Sequence, residues 1–266
     1  MSHHINLTAY ANHETTFTSQ QELNNYRQSK LQKVTKNINF IRQELGNNRI
    51  DALEIASGNS KFLYALHKQG LLEKGYGIEI SNSRHRFAEE WKSLLNIKNV
   101  TNIHANILEF DFDTLPKFDV VYCVDLGLQL IAPLGNKADT FILQQAYNKL
   151  KMGGKIILEL DDHNRVLTSM HNDEVKLWQE FDAPDPWRYM LWHCVDEKEN
   201  LLRLKKTFIQ RDLSKLSFSE VVLKNYSRQN AVNMLQEHGF GDIQVYEFWD
   251  TNGDLTDDEF IVTGQK

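Results

Sequence analysis

The chain has 266 residues, 41% hydrophobic and 25% charged, the usage of a globular protein with one large domain and room for additions. A formal net charge of -6 sets the bulk field against nucleic acid, and Cys123 and Cys194 alone make neither a disulfide framework nor paired zinc-ligand spacing. The opening Met1-Ser2-His3-His4-Ile5-Asn6 lacks the apolar core of a secretory signal, and no run approaches the roughly 18 apolar residues of a membrane span. The expectation is a soluble, cytoplasmic protein.

Residues 1–19 read as polar and irregular. A helix follows, with Leu31, Val34, Ile38, Ile41 and Leu45 spaced as one apolar stripe, closed by Gly46-Asn47-Asn48. Short apolar runs then alternate with helical patterns. Strands are expected over 53–56, 75–80, 100–105, 118–124 and 155–160. Helices are expected over 61–68, 83–95 (with Ser81 or Ser83 as cap) and 138–150. The run 118–124 is almost continuously apolar, as a strand covered on both faces of a parallel sheet would be. Such alternation means a doubly wound α/β sheet.

The alternation breaks over 161–226. Runs at 189–195 and 201–209 read as two strands, with a third at 218–223, which makes an inserted antiparallel unit. It resumes at Ser227, which caps a helix carrying Ala231, Met234 and Leu235. Strands near 243–248 and 260–263 are joined by too few residues for a crossover helix, so they form an antiparallel pair at one sheet edge.

The strongest local signal is Leu53-Glu54-Ile55-Ala56-Ser57-Gly58-Asn59-Ser60. A buried strand ends in a turn of small residues that opens into a helix, where a ligand meets free N–H groups. Glu79, 21 residues past Gly58, ends the second strand, where a carboxylate can accept both hydroxyls of a ribose. A dinucleotide-binding oxidoreductase needs G-x-G-x-x-G here, and only Gly58 is present, with Phe62 near the third glycine position. No G-K-[ST] phosphate loop follows the strand.

These residues resemble class I S-adenosylmethionine-dependent methyltransferases over residues 50–160 and again from 227 to the end. Glu54, Ala56, Ser57, Gly58 and Asn59 match the family's first motif, with Ala56 in place of its first glycine. Glu79 matches the ribose-binding acid, and Ile80 the apolar residue against adenine. Asn106, followed by Ile107, stands where an aspartate often binds the adenine amino group. Asp125 and Leu126, in Val124-Asp125-Leu126-Gly127, match the segment lining the transfer site. Leu150-Lys151-Met152-Gly153-Gly154 and His238-Gly239-Phe240 resemble two further family segments.

The resemblance implies a seven-stranded Rossmann-like sheet with an antiparallel C-terminal edge pair, an N-terminal helical cover (1–47) and an insertion that selects the acceptor (161–226). The cofactor domain would be 48–160 with 227–266. It also implies in-line transfer of a methyl from S-adenosylmethionine to a nitrogen or oxygen, leaving S-adenosylhomocysteine. The acceptor expected is a small molecule such as an amino sugar or a natural-product or polysaccharide precursor, and neither nucleic acid nor membrane. A protein methyltransferase, a non-catalytic cofactor-binding module and an NAD-dependent oxidoreductase are the alternatives. The oligomeric state stays open, and no metal is required.

An N-terminal helix in such proteins often closes over the cofactor, which singles out Tyr26 and Arg27, while Lys30 and Lys33 read as solvated. Asp161 and His163 follow the fifth strand, where a carboxylate or imidazole can take a proton from the acceptor; Asp125 and Tyr189 are the next choices for that base. Trp192 and His193 alternate on one strand, so at most one faces a pocket.

Overall fold

The computed structural model describes residues 4–7, 17, 19–198, 200–251 and 258–266. The connection between the last two strands lies largely outside the described residues. The strands are β1 (Ile50–Ile55), β2 (Leu72–Glu79), β3 (Val100–His104), β4 (Phe118–Cys123), β5 (Leu150–Asp161), β6 (Glu174–Glu180), β7 (Trp187–Lys198), β8 (Leu201–Gln210), β9 (Leu216–Lys224), β10 (Gly241–Glu247) and β11 (Glu259–Gln265). The helices are α1 (Gln20–Lys33), α2 (Thr35–Leu45), α3 (Lys61–Lys68), α4 (Asn82–Leu94), α5 (Gly127–Ile131), α6 (Ala138–Lys149), α7 (Asn164–Thr168) and α8 (Arg228–Glu237). Among the described residues, no helix is long and apolar enough to cross a membrane.

Seven strands form one sheet in the order β10-β11-β5-β4-β1-β2-β3. β3, β2, β1, β4 and β5 run parallel. β11 pairs antiparallel with both β5 and β10, so the reversed pair occupies the edge beside β5. Side chains of β4 alternate between the two faces: Val121 and Cys123 enter the core shared with α6 and α8, Val120 and Tyr122 the core shared with α2, α3 and α4. All four are fully buried, which is why that stretch reads as a continuous apolar run.

The stripe from Leu31 to Leu45 belongs to two helices rather than one. Val34 leaves helical geometry (φ -87, ψ 10) and joins α1 to α2. Ser19 caps α1, its hydroxyl accepting from the Glu22 N–H. α1 is polar almost throughout and buries only Tyr26 and Arg27, whereas α2 buries Asn37, Ile38, Phe40 and Ile41.

The insertion is a four-stranded antiparallel sheet, β6-β7-β8-β9, one strand larger than its sequence pattern predicts. Its inner face carries Cys194, Leu202, Leu204, Val221 and Leu223, packed against Leu126, Leu130, Val166 and Leu167. The fully buried Gln129 ties it to the main sheet. Gln129 Nε2 donates to the carbonyls of Asp161 (3.1 Å) and Lys224 (2.9 Å), and Oε1 accepts from the Asp161 N–H (2.7 Å).

Candidate functional site

Between β1 and α3 the chain turns through Ala56, Ser57, Gly58, Asn59 and Ser60. Ala56, Gly58 and Ser60 have positive φ (55°, 55° and 58°), a conformation glycine adopts freely and the other two only with some strain. The turn is held against β2: the Ser57 N–H donates to the Ile78 carbonyl at 3.0 Å. Gly77 permits that approach, because a Cβ there would stand 2.7 Å from Ser57 Oγ.

Glu79 is buried at the end of β2 and its carboxylate spans the turn. Oε2 accepts from the Gly58 N–H and Oε1 from the Ser81 N–H, both at 2.7 Å. Each oxygen keeps a lone pair for a further donor. A cleft opens beside it, lined by Ala56, Ser57, Gly58 and Asn59 from the turn and by Ile78, Glu79 and Ile80 from β2. Ala105, Asn106 and Ile107 from the segment after β3 form another wall. The cleft encloses about 990 Å³ with its open mouth included, within the range of small-molecule sites. Asn106 is anchored, its Nδ2 donating to Glu109 at 3.0 Å and its Oδ1 accepting from the Leu108 N–H at 3.2 Å.

Asp125 and Gly127 close the end of the cleft nearest β4. Asp125 and Leu126 are consecutive left-handed residues (φ 51° and 63°), and this turn is supported from below. Glu159, buried on β5, accepts from the Asp125 N–H at 3.1 Å and from the Trp249 indole N–H at 2.9 Å. Burial, with the Asp125 charge beside it, pushes the Glu159 carboxyl up to about 8. Partial desolvation in the cleft works against ionisation of Asp125, whose side chain stays 54% exposed, but the Lys61 ammonium bonded to it, with Arg84 and Lys30 beyond, holds that carboxyl below its usual range.

The N-terminal segment completes the cleft with Asn6, Leu7, Tyr26 and Lys30. Asn6 is fixed by donating to the carbonyls of Leu130 and Val222 (both 2.7 Å) and accepting from the Val222 N–H (2.8 Å). Lys30 does not sit in solvent: its Nζ lies 4.6 Å from the Tyr26 ring centroid and 3.6 Å from Asp185 of the insertion. Arg27 points elsewhere. It lies over the Phe87 ring (4.8 Å) and reaches Glu90 at 3.5 Å, on the α4 side of α1. Three cleft-lining cations, Lys30, Lys61 and Arg84, escaped the sequence reading. Lysines and arginines on helices are usually solvated, and only the fold turns these inward.

The remaining singled-out residues fall outside this cleft's lining. Glu54 is buried beneath it and accepts from the Tyr122 hydroxyl at 3.4 Å. Leu126 turns toward the inner face of the insertion. Asp161 and His163 line a second cavity, together with Trp192. His163 is buried, which holds its imidazole down at about 4, and its Nε2 has no hydrogen-bond partner. Burial, with Glu259 and Asp258 nearby, pushes Asp161 up to about 7. Tyr189 is on the outer face of the insertion sheet, its ring tilted against Trp178 at 4.9 Å between centroids, and lines neither cavity. Of the alternating pair, Trp192 faces the second cavity, while His193 bonds Glu174 at 2.6 Å.

Residues 47–239 match the sequence model of a family described as a methyltransferase domain. The chain belongs to that family. No curated protein matches this methyltransferase in sequence. Solved structures resemble it in fold. A S-adenosylmethionine-dependent methyltransferase from Clostridium acetobutylicum superposes with a TM-score of 0.70 at 17% identity, covering 86% of this chain and 90% of its own. The CcbJ methyltransferase from Streptomyces caelestis gives 0.71 at 13% identity, covering 98% and 97%. An amino pentose methyltransferase from Micromonospora echinaspora, solved with S-adenosylmethionine bound, gives 0.66 at 14% identity, covering 94% and 98%.

The cleft of this methyltransferase fits S-adenosylmethionine on its own chemistry. Glu79 offers paired acceptors for a ribose, Ile80 and Ile107 offer apolar surface for a purine, and the far end carries both signs of charge for a zwitterionic amino acid. Among the described residues, no glycine-rich pyrophosphate cradle follows β1. Gly58 is the lone glycine of the turn, and Phe62, fully buried against Tyr122 and Trp249, fills the space behind it.

Proposed function

We propose that this methyltransferase transfers a methyl group from S-adenosylmethionine to a nitrogen or oxygen of a small-molecule acceptor, with residues 161–226 as the acceptor-binding unit. The observation that carries the reading is Glu79: a buried carboxylate at the end of β2, bridging the backbone of the Gly58 turn and still able to accept from two hydroxyls. Bound there, the cofactor supplies a methyl group on a positively charged sulfur, a good leaving group in an in-line displacement.

The chain's own part is alignment and exclusion of water. Glu79 fixes the ribose, and Ile80, Asn106 and Ile107 the purine. Lys30 and Arg84 receive the amino-acid carboxylate. Asp125 receives its ammonium, held in place by the Glu159 bond to its N–H. Tyr26 and Asn6 cover the site from the N-terminal side. Of the four candidate bases, Asp125 lines the cofactor cleft, whereas His163, with an unbonded Nε2, and Asp161 line the neighbouring cavity and can take the proton only of an amine or hydroxyl acceptor that extends from there. The amino pentose specificity named for the Micromonospora protein supports a sugar-like acceptor.

The test is incubation of the protein and methyl-labelled S-adenosylmethionine with panels of amino sugars, hydroxylated sugars and short peptides, read by mass spectrometry. Label in an amine or sugar is the expected result. Label confined to peptides contradicts the small-molecule reading, and cofactor binding with no transfer to any panel contradicts the enzymatic one.

A further inference from the structure

The second cavity shares no lining residue with the cofactor cleft. It lies between the inner face of the insertion and the junction of β5 with β11, and encloses about 750 Å³ with its open mouth included. One end is acidic, with Asp161, Asp258 and Glu259. The opposite wall is apolar: Val166, Leu177, Trp192, Cys194, Leu202 and Leu204.

Three observations show that this is more than a solvated acidic corner. First, Glu259 stands directly opposite Asp161 in the β11–β5 ladder. Like charges facing each other across strands destabilise a sheet, and the burden falls at the cavity mouth. Second, among the described residues no cation lies within ion-pair distance of Asp161. Arg165 reaches only Asp258, at 3.8 Å, and Lys206 lies over the Trp192 ring at 4.6 Å. Third, His163, 8% exposed, lines the same cavity with an Nε2 that is buried and bonded to nothing. A buried polar atom left unbonded is unfavourable unless a ligand supplies the partner. Leu177, 40% exposed for a large apolar side chain, lines the opposite wall.

We propose that this cavity binds an organic amine in its cationic form, with the ammonium between Asp161 and Glu259, a polar substituent donating to His163 Nε2, and the apolar body against Leu177, Trp192 and Leu204. A protonated amine relieves the repulsion that Asp161 feels from Glu259, whereas an anion there adds to it. The ligand is either the methyl acceptor itself or a separate effector of the same chemistry. The site deepens the proposed function and rests on it only for the acceptor arm.

The probe is cyclohexylamine, with cyclohexanecarboxylate as its anionic counterpart, measured by saturation-transfer NMR on the full chain. The double variant D161N/E259Q preserves shape and removes two charges, and circular dichroism checks its fold. Cyclohexylammonium is expected to bind with a dissociation constant on the order of 1 mM. Binding should weaken at least about tenfold in the double variant, a loss of roughly 1.4 kcal/mol, and the carboxylate should not bind. Equal binding to both proteins, equal binding of amine and carboxylate, or no amine binding overturns the proposal. Adding S-adenosylmethionine separates the two sources: a gain of one methyl by the amine, after its ammonium gives a proton to Asp161 or to solvent and with S-adenosylhomocysteine as leaving group, identifies an acceptor site, and binding without gain an effector site. S-adenosylhomocysteine affinity, measured on the same samples, reports the cofactor reading independently.

Discussion

Gly77 carries no functional group, yet the geometry makes it decisive for the cofactor turn. A Cβ at that position would lie 2.7 Å from Ser57 Oγ, 2.8 Å from Ser57 Cβ and 3.2 Å from Leu63 Cδ1. Leu63 can shift its methyl; Ser57 cannot move without its turn, because its N–H is bonded to Ile78 and its carbonyl to Ser60. Overpacking of this kind costs about 1–3 kcal/mol, against roughly 0.5–1 kcal/mol gained by replacing a strand glycine with alanine. The net sign is destabilising. With about 2–4 °C per kcal/mol in a chain of this size, G77A should melt a few degrees below the wild type. It should also bind S-adenosylhomocysteine several-fold more weakly, since the displaced backbone leads into the Gly58 N–H that Glu79 holds. S57G removes both clashing atoms. The double variant S57G/G77A should therefore melt above the sum of the single effects, with a coupling of about 1 kcal/mol or more, measured by calorimetry of all four proteins. G77A melting at or above the wild type, or strictly additive effects, would refute the reasoning.

Other consequences are as direct. E79A removes the acceptor of two backbone N–H groups and of the ribose, so S-adenosylhomocysteine affinity should fall by about 30-fold or more, roughly 2 kcal/mol, by isothermal titration. H163A should lower turnover and leave cofactor affinity unchanged; wild-type turnover removes His163 from the proton path. Asp139, buried, accepts from Lys224 and from the Tyr226 hydroxyl, both at 2.6 Å. Burial pushes its carboxyl up, but those two partners outweigh that and hold it below its usual value. Its contribution to stability is therefore present above the ordinary carboxylate pKa of about 4 and lost as pH falls through the lower folded value. The melting difference between wild type and D139N should be wide at pH 7 and close in strong acid; a difference independent of pH contradicts this assignment.

Much of the sheet is legible in the sequence because burial on both faces leaves an unbroken apolar signature, as in Val120 to Cys123. The turn at Gly58 and its partner Glu79 are legible because small residues and a carboxylate occupy fixed places relative to strand ends. β6 is not. It is an edge strand, exposed along almost its whole length, and its apolar Val175, Leu177 and Trp178 are matched in number by the charged Glu174, Lys176 and Glu180. The break at Val34 is equally silent, since Val34 itself is buried and continues the apolar spacing through the corner. The cations of the cleft are the clearest gap. Tyr26 and Lys30 face inward and Arg27 sideways on the same helix, a difference set by how α1 lies on α3 and α4 rather than by any residue in α1. The second cavity depends on the Asp161–Glu259 register, which joins residues nearly a hundred positions apart.

Calorimetric titration of the wild-type protein with S-adenosylhomocysteine and, separately, with NAD decides which cofactor the cleft takes. Glu79 and the single-glycine turn predict micromolar binding of the sulfur nucleotide and none of the dinucleotide. Tight NAD binding with no response to S-adenosylhomocysteine would contradict the cofactor assignment and, with it, the reaction.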